Sequence, residues 1–107
     1  MTGKPIELHC DLDVAPDKEP DLVTTFHSVF APAMSKQPGF VAVTLLKLDS
    51  AKAGAAPANA SHRLVISFDT EQQRLAWVAT DIHQRVWPQM EKNLQGAKFT
   101  AVLWNKL

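Results

Sequence analysis

The stretch from Ile6 to Val14 alternates without a break. Ile6, Leu8, Cys10, Leu12 and Val14 share one side, and Glu7, His9, Asp11 and Asp13 share the other. A period of two marks a strand with one face on a core, and a slip of one residue would put every apolar group into water. This segment therefore demands a sheet whose dry face is covered by another layer, and the remaining chain must supply both.

The downstream segments do so in a regular order. Ala15-Pro16-Asp17-Lys18-Glu19-Pro20 reads as a turn into a helix, with Pro20 suited to a first helical turn. Leu22, Phe26, Val29, Phe30 and Ala33 form a helical stripe; Pro32 lies within it and predicts a kink or an end near Ala31, before Pro38-Gly39 stops the segment. Phe40 to Leu48 is a nearly continuous apolar run, as expected for a strand buried on both faces. Asp49 to Ser61 is Ala- and Gly-rich without periodicity, and reads as a long mobile hairpin loop. His62 to Phe68 returns as a strand, with Leu64, Ile66 and Phe68 inward, Arg63, Val65 and Ser67 on the other face, and His62 at the surface.

Thr70 to Leu94 then reads as one long amphipathic helix, capped by a Thr70/Gln73 capping box, kinked or broken near Pro88 and closed by Gly96. Leu75, Val78, Ala79, Ile82, Val86 and Met90 recur at three- and four-residue spacing. At about 100° per residue, Ala76, His83, Trp87, Met90 and Leu94 fall on one flank of that stripe, and Trp77 projects from nearly the opposite side. Lys98 to Trp104 is the final strand, with Phe99, Ala101 and Leu103 alternating against Thr100, Val102 and Trp104.

Strand, helix, strand, hairpin, strand, helix, strand is the order of two split βαβ units. The expected fold class is α+β: a ferredoxin-like βαββαβ domain over residues 1–107, with a four-stranded antiparallel sheet and both helices on one face. The other face bears Val41, Val43, Leu45, Val65, Val102 and Trp104 in this reading, too much apolar surface to leave in water. A homodimer packed sheet to sheet, a dimeric α+β barrel, solves that problem.

Composition excludes several alternatives. Eleven basic residues against eleven acidic ones leave no electrostatic footprint for nucleic acid or an anionic membrane. No apolar run approaches the ~20 residues of a membrane span. The opening MTGKPIELHCDLDV lacks the apolar core of a signal peptide, and Cys10 is the only cysteine; both point to a reducing cytoplasm. Cys10 itself, on the dry side of its strand, reads as an inert buried thiol. No glycine-rich phosphate loop or serine nucleophile elbow is present.

Several patterns resemble the antibiotic biosynthesis monooxygenase family of the dimeric α+β barrel superfamily, over most of the chain. They are Pro38-Gly39-Phe40 entering the second strand, Phe68-Asp69-Thr70-Glu71 entering the second helix, and Trp77-Val78-Ala79-Thr80-Asp81-Ile82-His83, similar to the family's Trp-x-x-Ser/Thr-x-x-His pattern. The resemblance implies a homodimer with a hydrophobic pocket between helices and sheet. It also implies a monooxygenase acting on an aromatic, quinone-like small molecule with no metal or flavin. Leu64 and Phe68 stand where the oxygenases carry an Asn and a Trp, and the first strand offers Glu7, His9 and Asp11 where haem-degrading members carry an Asn.

Against that background His83 is the leading catalytic candidate, as a base toward a phenolic substrate or, in the haem-binding alternative, as an axial ligand. Its bland rival is a core-edge histidine hydrogen-bonded to backbone. His9 is the second catalytic candidate, paired with Glu7 or Asp11 if the polar face of the first strand lines a cavity, and part of a solvated face otherwise. No His-x-His or His-x-x-x-His spacing supports a metal site. Trp77, Trp87, Phe26, His27 and Phe68 are candidate pocket walls, against the alternative that they are core. Trp104 reads as interface. A third reading keeps the pocket but not the catalysis: a non-enzymatic ligand-binding or stress-related dimer.

Overall fold

The computed structural model describes residues 5–107; residues 1–4, part of the opening segment read above for a leader, lie outside them. The strands are β1 (Ile6–Val14), β2 (Phe40–Lys47), β3 (His62–Phe68) and β4 (Leu94–Asn105). They form one antiparallel sheet in the order β2-β3-β1-β4. Both crossovers place helices on one face, which is the ferredoxin-like arrangement that the segment order predicts. The alternation in β1 is realised in full, since Ile6, Leu8, Cys10, Leu12 and Val14 are all buried and the intervening residues are not.

The first helical segment enters through a 3₁₀ turn (Pro16–Lys18) and has three parts: α1 (Glu19–Thr25), a π-helical turn (Phe26–Phe30) and α2 (Ala31–Ser35). Pro32 explains the middle part. Its ring crowds the carbonyl four residues back and offers no N–H, so the preceding turn widens, and Ala31 N–H reaches the carbonyl of Phe26 instead. The helix is widened at the proline and not ended by it, running on to Ser35. Leu22, Phe26, Phe30 and Met34 thereby remain buried against β1 and β3.

The second helical segment departs from the single long helix. α3 (Glu71–Val78) stops and α4 (Asp81–Glu91) starts afresh, with Pro88 inside α4 and the helix continuing past it. Thr80 makes the break: its backbone is extended (ψ 153°), its Oγ1 accepts from His83 N–H at 3.1 Å and donates to the carbonyl of Trp77 at 2.7 Å. One hydroxyl thus closes one helix and caps the next. Each helix then takes its own phase. α3 turns Arg74, Trp77 and Val78 toward the sheet, and α4 turns His83, Val86, Trp87 and Met90. Leu75, Ala79 and Ile82, members of the expected stripe, are exposed. Trp77, which helical phase alone puts outside and the family-like pattern puts at a pocket, is turned inward and 2% exposed.

Two register changes correct further expectations. Val41 is an extra residue in β2, because Phe40 pairs with Phe68 while Ala42 already pairs with Ser67. Val43 and Leu45 therefore lie opposite Ile66 and Leu64 on the helix side, and the uncovered face of β2 carries Ala42, Thr44 and Leu46. β4 begins at Leu94, earlier than Lys98, and holds a bulge around Gly96 (φ +63°) between the pairs Val14/Leu94 and Leu12/Phe99. His62, expected at the surface, is buried; its Nε2 donates to Glu19 Oε2 at 2.6 Å and its Nδ1 meets Ser61 Oγ at 2.8 Å. It ties the start of α1 to the end of the long loop.

Half of the capping box at Thr70 forms: Gln73 N–H donates to Thr70 Oγ1 at 3.1 Å, while the Gln73 side chain accepts from that hydroxyl at 3.2 Å and not from the Thr70 backbone N–H. The Gln73 side chain also packs on Gly39, whose φ is +81°. A Cβ there would sit 2.1 Å from Gln73 Oε1. Gly39→Ala is expected to cost about 1–2 kcal/mol, from the left-handed backbone and the displaced glutamine. A urea melt checks this, and an unchanged midpoint would show that the turn reorganises freely.

Candidate functional site

A cavity of about 180 Å³ lies between the helices and the sheet, near the β1/β4 side. Its floor is Leu8, Cys10, Ile66, Phe99 and Ala101, and its walls are Phe30, Arg74, Trp77, Val78, His83 and Trp87. A cavity of about 150 Å³ lined by aliphatic and aromatic groups holds one benzene ring, so the space suits a small aromatic body. The aromatic groups are set edge to face more than in parallel. Trp77 meets His83 at 5.0 Å between ring centroids and 85°, Trp87 meets Phe99 at 5.0 Å and 73°, and Phe30 stands about 6 Å from both tryptophans. His83 and Trp87, one turn apart on α4, are nearly parallel at 6.5 Å.

His83 is the polar group of consequence. Its Nδ1 is buried and has no hydrogen-bond partner, the one such side-chain atom among the described residues. Native proteins rarely leave a buried nitrogen unpaired, and where they do a functional cause is worth seeking. The core-edge reading, with the ring bonded to backbone, does not describe this nitrogen. Burial, and then the nearby Arg74 guanidinium, hold the imidazole below the ordinary histidine range, so the ring is neutral at pH 7 and carries a basic nitrogen. Burial pushes the Cys10 thiol up to about 11, with Arg74 opposing, so the sulfur on the cavity floor is a thiol and not a nucleophilic thiolate. Arg74 itself is held by Glu71 through two contacts of 2.6 Å.

The other sequence candidates separate. His9, Glu7 and Asp11 lie on the opposite face of the sheet and do not reach this cavity. His9 donates to Glu7 at 2.7 Å and stands 5.8 Å from Trp104, while Asp11 is paired with Arg63. The hydrogen bond from His9 holds the Glu7 carboxyl below its usual range. Phe26 is core, His27 is exposed with its ring against Phe26, and Phe68 is fully buried against Phe40. Trp77, Trp87 and His83 are the candidates that the structure brings together. Sequence spacing does not mark Arg74, Phe30, Phe99 or Cys10 for the site; the signal available for Arg74 is its position one turn before Trp77. Among the described residues no group of three or more His, Cys, Asp or Glu side chains converges to hold a metal, and no helix is long and apolar enough to cross a membrane.

A curved antiparallel sheet with helices on one face is the ferredoxin-like α+β fold, shared with solved proteins provisionally named antibiotic biosynthesis monooxygenases. Solved structures agree across nearly the whole chain. A Caulobacter crescentus protein provisionally named an antibiotic biosynthesis monooxygenase is 14% identical with a TM-score of 0.74, covering 99% of this chain and 92% of its own. SnoaB, a cofactor-independent oxygenase from Streptomyces nogalater, is 13% identical with a TM-score of 0.75, covering 97% and 94%. A dimeric ferredoxin-like protein of unknown function from Thermobifida fusca is 19% identical with a TM-score of 0.67, covering 97% and 92%. Identities this low establish the fold. No protein-family profile matches the sequence, and no curated protein does.

Proposed function

We propose that the protein is a cofactor-independent monooxygenase of the antibiotic biosynthesis type, acting on a small phenol- or hydroquinone-like aromatic. The observation that carries this reading is a neutral His83 whose ring lines an aromatic-walled cavity, with Nδ1 buried and unpartnered and Nε2 left as the nitrogen open to a ligand. A phenolic hydroxyl placed in the cavity hydrogen-bonds to the imidazole and gives up its proton to it. The phenolate is electron-rich and reacts with dioxygen in a space walled mainly by apolar and aromatic groups. One oxygen atom remains on the ring as a carbonyl and the other leaves as water. The substrate supplies all four electrons that dioxygen takes up, so no external reductant is required. The similarity to SnoaB, itself a cofactor-independent oxygenase, supports the same chemistry. Haem fits less well, since pockets for large ligands run to about 300–1,000 Å³ and this cavity holds about 180 Å³. Oxygen consumption across a panel of hydroquinones, naphthols and anthrones tests the proposal. Turnover that disappears in His83→Ala supports it, and silence across the panel favours the non-enzymatic binding dimer.

The assembly in this proposal is a homodimer joined through the uncovered sheet face. Leu46 (46% exposed) on one edge strand and Val102 (49%) and Trp104 (56%) on the other flank the paired charges Glu7/His9 and Asp11/Arg63 with exposed apolar groups, and the Thermobifida fusca relative is described as dimeric. Val102 lies opposite His9 and diagonal to Glu7 and Asp11. Val102→Asp would place a third carboxylate among them and bury it at the interface. Light scattering is expected to give a dimer for the wild type at micromolar concentration. For the variant the dissociation constant should rise about a hundredfold or more, and a wild-type monomer would refute the assembly.

A further inference from the structure

The cavity is apolar apart from His83, Cys10 and Arg74, and no carboxylate is among its lining residues. Arg74 is the only full charge among the described residues that line it. Glu71 holds the guanidinium by Nε and Nη2 from the side, at 2.6 Å each, and that carboxylate is a third exposed to solvent while Arg74 is mostly buried. Two of the five N–H donors are thereby spent on fixing the plane of the group, and Nη1 makes no hydrogen bond among the described residues. Nη1 is also not sealed in, since the one buried unpartnered side-chain atom among the described residues is His83 Nδ1. Water screens the Glu71 side of the pair, whereas the cavity side is walled by Trp77, Val78 and Phe30. An anion entering the cavity would therefore feel the guanidinium more strongly than its counter-ion.

We infer that Arg74 sets the substrate class: the cavity selects an aromatic that carries an anionic oxygen, a carboxylate or an acidic hydroxyl, lying against Arg74 Nη1 with the ring between Trp77 and Trp87. The inference rests on the cavity being the ligand site, as proposed above. It adds a requirement which catalysis by His83 does not contain. The same cation also disfavours a second positive charge on His83, so a bound anion and a neutral base are compatible in one small space. Arg74 is in this account a specificity-determining residue, and proton transfer stays with His83.

The test is binding of charge-matched isosteres by titration calorimetry: 2-naphthoate against 2-naphthamide, with benzoate against benzamide as the smaller pair. The wild type is expected to bind the acid about tenfold more tightly than the amide, the worth of one charge-assisted hydrogen bond in a partly dry site. Arg74→Gln should bring that ratio to about one, the acid losing more affinity than the amide, and Arg74→Lys should retain part of it. Glu71→Gln keeps a hydrogen-bond acceptor beside Arg74 but removes the counter-charge, so the acid should gain about threefold and the amide nothing. That variant and the wild-type ratio decide the matter if Arg74→Gln does not fold. Equal binding of acid and amide by the wild type, or a ratio that neither substitution moves, overturns the inference and leaves the cavity reading standing. Failure of both pairs to bind overturns the two together.

Discussion

Trp77→Ala is expected to remove about 3–5 kcal/mol of stability, and Leu75→Ala, two residues earlier on the same helix, less than about 0.5 kcal/mol. Helical periodicity taken over the whole of Thr70–Leu94 gives the reverse order, because it puts Leu75 on the apolar stripe and Trp77 on the far side. The structure places Trp77 at 2% exposure, with Phe30 and His83 against its ring, and leaves Leu75 at 52%. Truncating the indole opens a void between α3, the π-helical turn and the sheet, which close-packed neighbours refill only in part. Against a typical total of about 5–15 kcal/mol the loss is large, and it would show directly in the midpoint of a urea or thermal melt. Ligand affinity should fall with it, since Trp77 is a wall of the cavity. Equal effects at the two positions would mean that the helix is continuous and the cavity differently built.

That contrast marks where the chain is legible and where it is not. β1 is legible because a polar/apolar alternation has one register, and β3 follows the same rule; the inward parity of Leu64, Ile66 and Phe68 also reaches back to His62, the buried histidine read as surface. β2 is not legible in register. Phe40 to Leu48 is apolar on both parities, so nothing in the run itself reports that Val41 is bulged out and that Val43 and Leu45 turn to the helices. The break at Thr80 was visible only as Thr-Asp inside a helical pattern. A side-chain cap contributes about 1 kcal/mol, too little to override periodicity when only local spacing is weighed. Yet two separate templates, Arg74/Trp77/Val78 and His83/Val86/Trp87/Met90, describe the observed faces better than the single long one. The site followed the same division. His83 and Trp87 share one helix and are legible together, whereas Arg74, Phe99 and Cys10 join them only through the tertiary fold.

His83→Leu is expected to abolish turnover while leaving the fold as stable as before or more so. Removal of a positioned general base lowers rates by about 10²–10⁴-fold, and the binding walls Trp77 and Trp87 stay in place. Stability should move the other way. Nδ1 is buried without a partner, and an unpaired buried nitrogen costs about 1–3 kcal/mol that an apolar side chain of similar reach does not incur. The two proteins should also differ in their pH dependence. Because His83 is held below its ordinary value near 6.5, the unfolded chain binds a proton more readily than the folded one. The contribution of a neutral His83 is complete above about pH 6.5 and is lost as the pH falls from there toward the folded-state value; below that value the loss is complete and constant. The difference in unfolding free energy between wild type and His83→Leu, followed from pH 8 to 4.5, isolates this histidine from His9, His27 and His62. The advantage of the leucine variant should grow as the pH falls below about 6.5. In the wild type, activity governed by His83 as base should rise with pH along a limb whose midpoint lies below the ordinary histidine value. A difference curve flat across that window would show that Nδ1 is solvated in the native protein, and the case for a poised base in this cavity would fall with it.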